Sequence, residues 1–273
     1  MELMKPASGA PAAPEPAVAP GLEHRVGGGV ATVVIRNPAR RNAMTPGMWR
    51  ELPALLAGWA ADPAVRVLVL TGAGDTFCAG ADIASLADPD TGPDTGPKDL
   101  AVAAEEALAA FPKPTLAAVR GSCVGGGCQL AAACDLRFAE EGSRFGVTPA
   151  RLGVVYPPSA TRRLTALVGP ATAKYLLFSA ELIDADRALR TGLIDEVVPA
   201  GGLEKRVAEF TAVLTSRSAL TQAAAKEFTA GPAAPGRVAH WEAQGRAAGE
   251  EAEGVAAYLE RRPPRFPWTP PAR

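Results

Sequence analysis

Two glycine-containing segments carry the chemistry that the backbone of this sequence could do: DTFCAGADI at 75–83 and VRGSCVGGGCQLAAACD at 119–135. Each follows an apolar run and opens toward a helical stretch, a geometry that leaves N–H groups without partners and pointing outward. Such groups hold negative charge. A nucleotide phosphate is one candidate, but the spacing is neither GxGxxG with a following acidic residue nor GxxxxGK[ST], so both standard phosphate loops fail. The other candidate is an oxyanion hole made from two N–H groups on separate loops, which needs close backbone approach and therefore glycine or alanine. Glycines serving only tight helix–strand packing remain an alternative at this stage.

Side chains for acid–base work are scarce by comparison. His24 and His240 are the 2 histidines, one toward each end of the chain. That count excludes a histidine-cluster metal site and restricts any His-based triad. The 4 cysteines, Cys78, Cys123, Cys128 and Cys134, form no CxxC pair, so no metal is expected. They read as reduced, buried thiols, which favours a cytoplasmic location. A net charge of −1 gives no footprint for nucleic acid. No apolar stretch reaches the roughly 18 residues of a membrane span, and residues 1–20 lack the apolar core of a signal peptide.

The elements that must position the two segments follow from patterning. With 48% hydrophobic residues in 273, the chain can bury a sizeable core. HRVGGGVATVVI predicts two strands around Gly27–Gly29. Thr45 predicts a helix cap, with Pro46 in the first turn and MWRELPALLAGWAA as the body. VRVLVLTG (65–72) and PTLAAVRG (114–121) are continuous apolar runs of the kind that strands buried on both faces require, and DLRFA is a weaker third. The helix CQLAAACD follows the glycine turn. Strand, turn and helix alternate, so the fold class is α/β. PDTG occurs twice within 87–99, which reads as a flexible surface loop. From Thr161 the pattern is helical. The organisation expected is an Ala/Pro-rich tail at 1–21, a core at 22–202 and a helical C-terminal part at 203–273.

The same segments resemble a known family. FCAGADI, followed by FPKPTLAAVRGSCVGGGCQLAAACDLRFA, is similar to the enoyl-CoA hydratase/isomerase (crotonase) superfamily. RNPARRNAM (36–44), YLLFSAELIDADRALRTGLIDEVVP (175–199) and YLERRPPRF (258–266) match in the family's order. The resemblance implies a spiral of ββα units, a C-terminal helical trimerisation region, and a homotrimer or dimer of trimers. It implies an acyl-CoA substrate, with CoA part of the substrate and no separate cofactor. It places the oxyanion hole on the N–H groups of Ala81 and Gly126. Family CoA contacts fall on Arg36, Arg41, Ala79, Asp82 and Ile83. Phe266 and nearby Arg262 match positions that reach the CoA of a neighbouring subunit.

Where hydratases of that family carry two glutamates, this chain has Gln129 and, aligned without gaps, Pro149. Neither side chain can transfer a proton as a carboxyl does. Glu140 and Glu141, or Asp88, Asp90 and Asp94 of the loop, are the substitutes within sequence reach. A hole with few ionisable neighbours suits decarboxylation of a 2-carboxyacyl-CoA such as methylmalonyl-CoA, because loss of CO₂ generates the enolate without a base. FGVTPARLGVVYPP resembles the decarboxylase branch of the superfamily, which implicates Tyr156 and Thr148. It departs from that branch at Ala81, where a histidine is usual, and at Gln129, where a glutamate is usual. Arg151 is a further candidate for holding a substrate carboxylate. The leading expectation is therefore a decarboxylating CoA-thioester lyase. The alternatives are a hydratase or isomerase with non-standard acid–base groups and a CoA-binding pseudoenzyme.

Overall fold

The computed structural model describes residues 19–83 and 96–269. The acidic residues Asp88, Asp90 and Asp94 and the doubled PDTG lie outside the described residues. β1 (Gly21–Gly27) and β2 (Val30–Arg36) form the antiparallel hairpin expected around the glycine turn. Helix α1 (Pro46–Ala61) starts at Thr45, whose hydroxyl accepts the Met48 N–H at 3.3 Å. Next come β3 (Val67–Gly72), α2 (Pro97–Ala109), β4 (Thr115–Val119), β5 (Ser122–Val124) and α3 (Gly126–Ala133). β6 (Leu136–Glu140), β7 (Arg144–Gly146), the short α4 (Pro149–Leu152) and α5 (Pro158–Ser179) follow. Then come β8 (Ile183–Asp184), α6 (Ala185–Thr191) and β9 (Glu196–Val198).

The strands make a six-stranded sheet in the order β1-β2-β3-β4-β6-β9 and a three-stranded sheet in the order β5-β7-β8. From β2 to β9 every pairing in the larger sheet is parallel. Parallel strands need helical crossovers, and crossovers cover both faces. Alternate residues show the result. Leu68 and Leu70 of β3 face a main core with Trp49, Leu52, Leu108 and Leu164. Val69 faces the other way, into a second cluster with Leu116, Phe138 and Leu203. Burial on both faces is why 65–72 reads as an unbroken apolar run.

Two boundaries differ from the sequence expectation. The helix after the glycine turn begins at Gly126 and stops at Ala133, because Cys134 is extended and Asp135 is tied to the start of β4. The Asp135 carboxylate accepts the Thr115 N–H at 2.7 Å, and the Thr115 hydroxyl accepts the Asp135 N–H at 2.7 Å. The chain then turns back as β6, so Glu140 and Glu141 do not continue the helix. α5 spans what reads as two helices, interrupted at Gly169, where φ is 73°.

The C-terminal part is helical: α7 (Leu203–Ser216), α8 (Ala219–Thr229), α9 (Arg237–Ala248) and α10 (Glu250–Leu259). Leu203 of α7 seals the second cluster, with Val207 and Phe210 packed against it. Among the described residues, no helix is long and apolar enough to cross a membrane.

Candidate active site

The site is built by hydrogen bonds that begin in the segment after β2. The buried Asn42 donates to the carbonyls of Ala73 and Thr76 at 2.8 and 2.6 Å and accepts the Asn37 N–H at 3.0 Å. These bonds fix the 37–44 loop against the end of β3. That loop then holds residues 79–82 in register: Ala79 N–H donates to Arg41 O at 3.0 Å, Met44 N–H to Gly80 O at 2.8 Å, and Asp82 N–H to Met44 O at 2.9 Å. The neighbouring segment is joined on the other side, with Cys78 N–H to Ser122 O and Val124 N–H to Cys78 O, both at 2.9 Å. The two glycine segments are thus laced together between Cys78 and Cys123.

Two glycines allow this closeness. Gly80 has φ +104°, and a Cβ there would lie 3.1 Å from Val124 O and 3.3 Å from Gly126 N. A Cβ on Gly127 would meet Cys78 O at 2.4 Å, inside any tolerable contact. The consequence is that Ala81 N and Gly126 N come side by side, the Cβ position of Gly126 being 3.7 Å from Ala81 N. The Ala81 N–H sits between two bonded neighbours yet has no acceptor among the described residues, and Gly126 is the first residue of α3, where an N–H lacks an intrahelical partner. Two unpartnered donors therefore stand side by side at one point of the fold.

That point lies in a cavity of about 540 Å³. Ala81, Gly126, Gln129, Thr148, Pro149 and Tyr156 all line it, and Ala79 and Ile83 complete the edge beside the 79–82 segment. The Gly125 Cβ position is 3.7 Å from the Tyr156 hydroxyl and 3.9 Å from the Thr148 hydroxyl, which brings these two side chains to the same place. Burial raises the Tyr156 hydroxyl well above its ordinary value, so it stays a neutral phenol. Burial likewise pushes the Cys78 thiol up to about 12. Gln129 is 1% exposed, and both polar atoms of its amide lack a hydrogen-bond partner.

Several expected residues are elsewhere. Arg36 does not line the cavity; its guanidinium bonds Glu23 across the hairpin at 2.9 Å, because the register places Arg36 near the end of β2 beside that strand. Arg41 is exposed, at the left-handed end of a short turn, and contributes its carbonyl. Asp82 lies next to the lining, with its N–H taken by Met44. Phe266 and Arg262 border a separate cleft with Arg66 and Arg217. Arg151 is exposed and absent from the lining. Glu140 does not line the cavity; it pairs with Arg120 at 2.6 Å and accepts the Gly201 N–H.

Two lining residues escape a reading of motifs. Trp49 of α1 presses its ring on Gly126, 3.2 Å from the Cβ position, and its Nε1 has no partner. Glu105 of α2 is 5% exposed and is the one acidic side chain among the described lining residues. Burial lifts its carboxyl to about 7, against the pull of Arg163 and with a smaller push from Glu106. A pocket poor in acid–base groups is the ground for expecting decarboxylation, and Glu105 weakens that ground. The signal was available: Glu105 lies between Ala101, Ala104 and Leu108 on the buried stripe of α2, where a charge has no structural reason to be.

Comparison with known proteins shows the family and the fold. Residues 25–268 match the family model described as enoyl-CoA hydratase/isomerase. A crotonyl-CoA hydratase of Syntrophomonas wolfei is 36% identical over 203 residues, covering 72% of this chain and 78% of the relative. A putative enoyl-CoA hydratase of Thermus thermophilus is 34% identical over 260 residues, covering 88% and 98%. Among solved structures, an enoyl-CoA hydratase/isomerase family member superposes with a TM-score of 0.88 at 38% identity, covering 94% of this chain and all of the other. A putative family protein from Hyphomonas neptunium gives 0.83 at 34% identity, covering 90% and 97%.

Proposed function

The chain belongs to the enoyl-CoA hydratase/isomerase family, and on that premise we propose that it moves protons on an unsaturated acyl-CoA, as a hydratase or isomerase whose acid–base groups are not those of residues 129 and 149. The carrying observation is the pair of unpartnered N–H groups at Ala81 and Gly126 on the floor of the cavity. In an acyl thioester the carbonyl oxygen gains negative charge as an enolate forms. Fixed donors stabilise that charge without reorganising, and each lowers the barrier by about 3 kcal/mol.

The remaining lining suits this substrate. Ala79 and Ile83 offer an apolar edge, Lys98 brings a cation to the rim, and Tyr156 and Thr148 present neutral hydroxyls beside the hole. CoA enters as part of the substrate. A trimer or dimer of trimers is supported by apolar side chains left open on α10, where Tyr258 is 83% and Leu259 74% exposed. A reducing, cytoplasmic setting is supported by four buried, free thiols.

The test is turnover of crotonyl-CoA and but-3-enoyl-CoA followed by mass spectrometry and by absorbance of the conjugated thioester. Gain of one water on the first, or conversion of the second to the first, is the expected result. No change in either, together with loss of CO₂ from methylmalonyl-CoA, would contradict it.

A further inference from the structure

Glu105 has the attributes of a working group rather than a structural one. Its carboxyl oxygen Oε2 is buried and without a hydrogen bond. The nearest cation, Arg163 Nη1, stands 3.9 Å away, and that guanidinium is anchored by Glu106 at 2.7 Å. A structural buried carboxylate is ordinarily bonded on both oxygens, because leaving one bare costs stability. Here the bare oxygen belongs to a side chain that lines the cavity containing the two backbone donors. In the same cavity the Gln129 amide is also buried and unpartnered, able to hold a water or a substrate oxygen but not to take a proton.

We propose that Glu105 of α2 is the proton-transferring residue of this site, reaching the substrate from a different element than the two positions that have lost their carboxyls. The assignment rests on the acyl-CoA reading above. On a 3-enoyl thioester the carboxylate accepts a proton from C2, the C–H electron pair becomes the C1–C2 π bond, the carbonyl pair moves to oxygen, where Ala81 and Gly126 hold it, and the acid so formed returns the proton to C4. On a 2-enoyl thioester the carboxylate takes a proton from the water whose oxygen bonds C3, the C2–C3 π pair becomes the C1–C2 π bond of the same enolate, and the acid returns the proton to C2, which restores Glu105 and leaves the electrons balanced.

The charged and titratable groups around Glu105 fit that role. Arg163 of α5 favours the carboxylate, Glu106 on its own helix opposes it, and burial opposes it most. Tyr156 lies within electrostatic range as a neutral phenol, Cys128 of α3 borders Tyr156, and Lys98 stands on the rim. Burial holds the Glu105 carboxyl near 7, where it can both take and return a proton at neutral pH.

The test compares wild type, Glu105→Gln and Glu105→Asp on crotonyl-CoA and but-3-enoyl-CoA in D₂O, following turnover and deuterium uptake at C2 and C4. Binding of butyryl-CoA is measured alongside by calorimetry. Glu105→Gln is expected to lose at least about a hundredfold in turnover and deuterium uptake while butyryl-CoA affinity changes by less than about threefold. Wild-type turnover should rise with pH through about 7 as the base form appears. Glu105→Asp should keep that pH dependence at a reduced rate, and Glu105→Gln should lose it. Wild-type turnover that Glu105→Gln and Glu105→Asp leave unchanged overturns the assignment alone. Loss of butyryl-CoA binding in parallel with turnover in both variants also overturns it, as the mark of a structural role. Wild type inert toward both thioesters overturns the acyl-CoA reading and the assignment together.

Discussion

The floor and the wall of the cavity are built on opposite principles. On the floor, residues 78–82 and 122–126 exchange backbone hydrogen bonds with each other and with the 37–44 loop, and the N–H groups of Ala81 and Gly126 are left without an acceptor among the described residues. Along the wall, side chains from three helices bring polar atoms into burial and leave them bare: Trp49 Nε1, the Gln129 amide and Glu105 Oε2. The floor is held by backbone hydrogen bonds. The wall carries unsatisfied groups that a fold selected only for stability would remove. The proposed division of labour gives binding of charge to the rigid backbone and proton movement to side chains held at a cost.

The largest expected effect breaks the floor. Gly126→Pro removes one donor at the first position of a helix, where proline is tolerated. Turnover should fall by about a hundred- to a thousandfold, measured as kcat on the better of the two enoyl thioesters. Circular dichroism should show the helices retained, with a modest fall in Tm from crowding against Trp49.

Next comes the wall, with opposite sign. Glu105 binds its proton more tightly in the fold, near 7 against an ordinary 4.5. Stability should therefore decline as pH rises from about 4.5 to 7 and stay flat above, a penalty of up to about 3 kcal/mol for the ionised form. Glu105→Gln should abolish that slope and raise the urea midpoint at about pH 8 while turnover falls. A smaller effect of the same kind is expected at Gln129. Gln129→Met keeps the volume and deletes two unpartnered atoms, so unfolding free energy should rise by about 1–2 kcal/mol as turnover drops. The smallest effect separates both regions from the surface. Arg36→Ala breaks a partly exposed ion pair with Glu23, should cost under about 1 kcal/mol, and should leave KM unchanged.

The floor was largely legible in the sequence and the wall was not. Backbone sites demand particular small residues, so Gly80, Ala81, Gly126 and Gly127 appear as a motif at fixed spacing. The strands beneath them appear as unbroken apolar runs because both faces of the sheet are buried. Side-chain sites have no such requirement on spacing. Glu105 lies 24 residues before Gln129 on another helix, and only the three-dimensional crossover brings them to one cavity. Arg36 stands apart from both: its match is in sequence, and strand register gives its guanidinium to Glu23 outside the cavity. Gln129 and Pro149 both line the cavity without a carboxyl, yet scarcity of carboxyls in the motifs does not mean their absence from the cavity, where Glu105 stands.

The central claim is that Ala81 and Gly126 polarise a thioester carbonyl. Vibrational spectroscopy of crotonyl-CoA labelled with ¹³C at that carbonyl, bound to the protein, tests it most directly. A shift of the carbonyl stretch to lower frequency on binding, largely reversed in Gly126→Pro, is the predicted result. A stretch unchanged from that of free crotonyl-CoA, in wild type saturated with ligand, would contradict it.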